Sequence, residues 1–227
     1  ISAYSLIVEA GTPFYEQYRE NAEERGEGSR KHGSTLSSGQ DYLPPLPDED
    51  TEREIYKTTE KILSEYGYHR YEISNYAKAG YECRHNLGYW ERKEYLGLGL
   101  GASSLISECR FHNTNDMEKY LGCYGGAAGD MQSCSQMQSG ITDIREDVEC
   151  LTVEDRMEEF MFLGLRKMEG ISMAEFRVAF GKDIRDVYGE QLRKLSGQGL
   201  IEVSDERIRL TERGIDISNY VFSEFLF

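Results

Sequence analysis

The chain has 227 residues, 39% of them apolar and 11% aromatic, which is enough to bury a sizeable core in one large domain or two small ones. A formal charge of -15 and a pI near 4.8 argue against nonspecific binding to nucleic acid or to anionic membrane. There is no run of eighteen apolar residues and no signal-peptide pattern, so the expected setting is the cytoplasm.

Ile1 to Glu9 (ISAYSLIVE) is rich in β-branched and aromatic residues and is stopped by Gly11 and Pro13, which predicts a buried strand. The chain opens without Met directly in this strand, so it reads as a piece of a longer protein. Pro13 starts a short helix. Residues 22–40 are polar and Gly/Ser-rich and read as a surface loop in which His32 is solvated. Acidic residues before Thr51 suit a helix start, and Ile55, Thr59, Ile62, Leu63 and Tyr66 form a stripe at helical spacing, closed by Gly67. Tyr68 to Ile73 alternates like a strand. Helix, glycine, strand is half of a βαβ unit, so a parallel sheet is expected.

Arg70 to Leu105 is the densest stretch, with His85, Cys83, five Tyr and the only Trp of the chain. Within it, His85-Asn86-Leu87-Gly88-Tyr89-Trp90 sets an imidazole, an amide and two amphipathic rings together, with glycine and charge at the edges that suggest a loop. Tyr95 to Leu105 (YLGLGLGASSL) reads as a strand whose glycines allow close approach of a neighbour or ligand. Phe111 to Leu121 reads as a turn and a short helix capped by Asn115 or Asp116. Residues 122–150 read as a linker. Cys83, Cys109, Cys123, Cys134 and Cys150 are irregularly spaced and read as free thiols in a reducing compartment.

A second unit is expected from Thr152, with a capping box at its start and an apolar face through Met157, Phe160, Met161 and Leu165. Ser172 to Phe180 and Asp183 to Leu195 follow as helices, then a hairpin around Ser204-Asp205-Glu206 and a last helix from Thr211. This order is winged-helix-like and raises a DNA-binding regulator as a rival reading. The segment has 11 Lys/Arg against 15 Asp/Glu, without the basic face that phosphate contact needs.

YEISNYAKAGYECRHNLGYW followed by YLGLGLGASSL resembles the HemW-type haem chaperones, radical S-adenosylmethionine (SAM) proteins related to oxygen-independent coproporphyrinogen III oxidase. ISAYSLIVEAGTPFYE, MEEFMFLGLRKMEGIS and RIRLTERGIDISNYVFSEFL are similar to the same family; Ala79, where the family usually has Pro, and residues 122–150 depart from it. The resemblance implies an α/β fold: the C-terminal part of a partial (β/α) barrel of radical SAM type over 1–121, a linker over 122–150, and a small helical, winged-helix-like module over 151–227. It implies haem contact through His85, Asn86, Tyr89 and Trp90, which suits the chemistry of an imidazole ligand flanked by rings. It implies SAM contacts from Ser5, Ala102, Ser103 and Leu105. The 4Fe-4S cluster loop of that family, Cys-x3-Cys-x2-Cys, matches none of the five cysteines, so the cluster ligands are expected upstream of Ile1.

The implied partners are haem or a porphyrin and haem-accepting proteins, with peripheral contact to membrane haem proteins and no nucleic acid. The alternative is a coproporphyrinogen III oxidase, whose acidic substrate would want Arg70, Arg84, Arg92 and Lys93.

Overall fold

The computed structural model describes residues 1–16, 18, 46–122 and 143–227. The loop with His32, most of the expected linker, Cys123 and Cys134 lie outside the described residues. The chain divides into two compact units, one of residues 1–69 and 74–76, the other of residues 70–73 and 77–227.

In the first unit the Ile1–Glu9 run is not a buried strand. Its one bridge is Ser2 with Asn75, backed by the Ile1 amino group on the Tyr76 carbonyl at 2.8 Å. Without further neighbours among the described residues, Tyr4, Leu6 and Ile7 are exposed. Thr12 caps the helical turn that begins at Pro13, its hydroxyl accepting from the Tyr15 amide at 3.2 Å. Helix α1 (Glu49–Glu65) starts one turn earlier than its apolar stripe because Asp48 accepts from the Thr51 amide, and Gly67 leaves it with a left-handed φ of 79°. Residues 69–77, shared out between the two units, hold two short strands, β1 (His69–Glu72) and β2 (Asn75–Ala77).

The second unit continues with α2 (Arg84–Trp90), β3 (Ser103–Ile106), β4 (Cys109–Asn113), α3 (Met117–Gly122) and β5 (Arg145–Cys150). The helix α3 is capped as expected by Asp116, whose carboxylate accepts from the Glu118 and Lys119 amides. Strands β3, β4 and β5 make an antiparallel sheet in that order, where a parallel one was expected. Ser107 and Glu108 join β3 to β4 with φ of 51° and 60°, the two positive values of a tight hairpin turn that glycine and asparagine usually supply. Tyr95 to Leu105 is not one strand. Tyr95 and Leu105 exchange both backbone hydrogen bonds at 3.0 Å, and the chain reverses between them. The glycines serve that reversal: a Cβ on Gly97 would lie 2.2 Å from the Ser103 carbonyl oxygen, and Gly99 and Gly101 have positive φ.

Two expectations are corrected at β5. Arg145–Cys150, placed in the linker by sequence, is a strand paired with β4. Cys109 and Cys150 face each other in that register and are joined as a disulfide, so they are not free thiols; Cys83 is.

The remainder follows the expected order with one addition. Helix α4 (Val153–Gly164) opens on the Thr152–Asp155 capping box, and then come β6 (Ile171–Ser172), α5 (Met173–Phe180), α6 (Ile184–Gly197), β7 (Ile201–Val203) and β8 (Arg207–Leu210). Strand β6 was not legible, being two residues long; it completes an antiparallel sheet of order β6-β8-β7 and with it the winged-helix topology. The expected last helix is two, α7 (Glu212–Asp216) and α8 (Ser218–Ser223), broken at Ile217. The core lies here, with Phe176, Tyr188, Leu195, Ile208 and Phe225 buried together.

Tyr188 is fully buried, and its hydroxyl has no hydrogen-bond partner among the described residues. Burial raises its pKa, with the Glu158 charge adding to the effect. Tyr188→Phe deletes an unsatisfied polar group and keeps the ring, so urea unfolding should show equal stability or a gain of up to about 1 kcal/mol.

Candidate functional site

The HNLGYW block is helix α2, not a loop. Glycine and flanking charge pointed to a loop, but the chain closes one helical stretch with a Schellman end: the Lys93 amide donates to the Gly88 carbonyl at 2.9 Å and the Arg92 amide to the Tyr89 carbonyl at 3.1 Å. Arg92 takes the left-handed position, φ 52°, that glycine normally occupies.

Helical spacing brings His85 and Tyr89 together at i,i+4, with ring centroids 4.7 Å apart and edge-on. Tyr89 meets Tyr95 in the same manner at 4.8 Å, which gives a ladder of three rings. The His85 side chain is exposed, and no described residue hydrogen-bonds its imidazole. Trp90 turns inward instead. The Arg166 guanidinium lies 4.4 Å from its ring centre and also faces the buried Glu72 carboxylate at 3.6 Å. The Asn86 amide reaches the Tyr71 hydroxyl at 3.5 Å, the limit of a hydrogen bond. Burial raises the Tyr71 pKa, against the lowering effect of that bond.

The four residues expected to meet haem therefore share one helix but divide in role, with His85 and Tyr89 outward, Trp90 packed and Asn86 between. Of the residues expected to meet SAM, Ser5 is exposed in the first unit, while Ala102, Ser103 and Leu105 belong to the second. Leu105 is buried. Its side chain walls a cleft beside α2.

Behind α2 runs an ion chain that sequence reasoning missed. Arg92 donates through Nε to Glu159 at 2.8 Å and through Nη2 to Glu108 at 2.7 Å. Arg110 reaches the other Glu159 oxygen at 2.7 Å, and Arg156 reaches Glu108 at 3.4 Å. Burial works to raise the Glu108 carboxyl, but the hydrogen bonds and charges of Arg92 and Arg156 outweigh it and hold the pKa below the usual range. Members up to 67 residues apart leave no local pattern to read. Arg92 is thus committed to carboxylates and is not available to a substrate, whereas Lys93 is exposed and faces Glu91.

Among the described residues no group of three His, Cys, Asp or Glu could hold a metal ion, and Cys109 and Cys150 are tied to each other. These residues do not fit an iron-sulfur cluster, which needs several thiolates held close together.

Residues 151–217 match the HemN C-terminal domain model. Over 226 residues, 100% of this chain and 50% of the relative, the chain is 32% identical to the heme chaperone HemW of Lactococcus lactis. Over 225 residues it is 33% identical to the heme chaperone HemW of Bacillus subtilis, covering 99% of this chain and 50% of that one. The chain matches HemW-type proteins over its whole length. It spans about half the length of the curated relatives it matches. Its fold is that of the HemN structure from Escherichia coli, a coproporphyrinogen III oxidase described as a radical SAM enzyme, with a TM-score of 0.56 at 19% identity over 79% of this chain and 42% of that one. For a HemW-type chain, the His85–Tyr89–Tyr95 ladder is the candidate site.

Proposed function

We propose that this chain is part of a haem chaperone: it binds haem on the α2 face through His85 and passes it to haem-accepting proteins. One observation carries the reading. His85 presents an exposed imidazole with no described hydrogen-bond partner, set edge-on to a tyrosine ladder that offers a flat ligand apolar surface. An uncommitted imidazole nitrogen is what haem iron needs as an axial ligand. Tyr89 would flank the macrocycle, and Asn86 and Trp90 would hold the helix that carries both.

SAM and a 4Fe-4S cluster belong to this proposal only for a longer chain, as in relatives named for a radical SAM domain. Ser5, Ala102, Ser103 and Leu105 remain the residues proposed toward SAM. A cytoplasmic setting is part of the same proposal, one in which the Cys109–Cys150 pair is held reduced and joins under oxidation, and no described helix is long and apolar enough to cross a membrane. Acceptors are proposed to be haem proteins, including membrane ones met at the periphery, not nucleic acid: the turn between β7 and β8 ends in Asp205 and Glu206, which repel phosphate.

Titration of haem followed by its Soret absorbance tests the site. His85→Ala should weaken binding about tenfold or more, roughly 1.4 kcal/mol, and shift the band. Equal affinity with an unchanged spectrum would remove His85 from the site. Turnover of coproporphyrinogen by a full radical SAM assembly would instead favour the oxidase reading.

A further inference from the structure

Beside the ring ladder lies a cleft of about 250 Å³, lined by Tyr89, Trp90 and Tyr95 together with Lys93, Arg110 and Glu159. Pockets that enclose a whole drug-sized ligand run about 300–1,000 Å³, so this one suits an edge or arm of a larger molecule. Its charge runs against the acidic chain. Of its three cations, Arg92 is held by Glu159 and Glu108 and Arg110 by Glu159, while Lys93 meets only the surface carboxylate of Glu91. A surface ion pair is worth little, so Lys93 can exchange its carboxylate for that of a ligand.

Lys93 is the most exposed cation of the three. Its side chain is 69% exposed, its stem runs beside Gly88 of α2, and its ion-pair partner is Glu91 at 2.5 Å. That carboxylate also has Lys167 at 3.8 Å, so it keeps a counter-charge if Lys93 swings to a ligand. The Trp90 indole Nε1 is buried with no acceptor among the described residues, which leaves an unspent donor on a residue of the cleft wall.

We propose that this cleft takes a carboxylate arm of the tetrapyrrole, a propionate, with Lys93 as its counter-ion. The inference rests on the haem reading above. It gives the site two anchors, His85 for the metal and Lys93 for the acid edge, both carried by α2 and the three residues after it. An ammonium placed this way discriminates acid from neutral tetrapyrroles and does little for the iron.

The test compares haem with its dimethyl ester in absorbance titrations of the full chain, of Lys93→Met, and of Lys182→Met as a control for lost surface charge. The unaltered chain and Lys182→Met should prefer the diacid about tenfold, and Lys93→Met should reduce that preference to about twofold while keeping the Soret position. Lys93 is exposed, so folding is not at stake. A preference retained in Lys93→Met, or absent from the unaltered chain while binding still depends on His85, would overturn the inference and leave the haem reading standing. Binding of both ligands that ignores His85 would overturn the two together.

Discussion

Glu159→Ala should lower the free energy of unfolding by about 1.5–3 kcal/mol in urea titrations, because it removes the carboxylate that Arg92 and Arg110 share and leaves the buried Arg92 to Glu108 alone. The Glu159 side chain is 8% exposed and Arg92 10%, so water cannot replace the lost carboxylate around Arg92. The effect should spread along the chain of charges, since Arg92 also holds Glu108 and occupies the left-handed position at the end of α2. A non-glycine residue there costs on the order of 1 kcal/mol, and the two carboxylates offset it. Replacing Arg92 and Glu159 together by apolar residues should recover much of the loss. A cost under about 1 kcal/mol for Glu159→Ala would mean that the guanidiniums rehydrate and that the ion chain is not structural. The pH dependence has a fixed sign. Glu108 is depressed in the fold, so its contribution is full above the ordinary carboxylate pKa and fades as pH falls through the lowered value.

Gly170→Ala should cost about 2–5 kcal/mol. Gly170 has φ 72°, a region that costs an L residue about 1–2 kcal/mol. An added Cβ would stand 2.0 Å from the Ile208 carbonyl oxygen and 2.7 Å from the Arg209 Cβ. That is the backbone of β8, the middle strand of its sheet, and relief of the overlap adds about 1–3 kcal/mol. Gly181→Ala separates the two causes: its φ is 67°, but nothing lies within 4 Å of the added carbon, so only the conformational cost should appear. Equal midpoints for the two variants in urea would show that β8 moves aside freely.

What could be read from sequence followed how local its cause was. Thr152 with Asp155, Ser172 with Glu175 and Asp116 before Met117 are caps that act within three residues, and each is in place. The winged-helix order was legible because its helices carry apolar faces at helical spacing, while the two-residue β6 carries no period at all. Ser107-Glu108 was not legible as a turn, since neither residue favours positive φ; it is held by contacts from Glu94, Arg92 and Arg156. The HNLGYW block was taken for a loop and is a helix, missed because its helix ends on Arg92, where glycine would have signalled it. Resemblance supplied the haem assignment; the exposed imidazole and the cationic cleft beside it came only with the coordinates.

The Cys109–Cys150 bond has a further consequence. It joins residues 41 apart in sequence, and the span it closes includes residues 123–142. With the bond in place, the meeting of β4 and β5 no longer depends on the polypeptide that runs between them. Evolution is free to lengthen, shorten or rewrite that connection, and a cut within it leaves both strands in one covalent molecule. The span can diverge while the sheet behind α2 keeps its register.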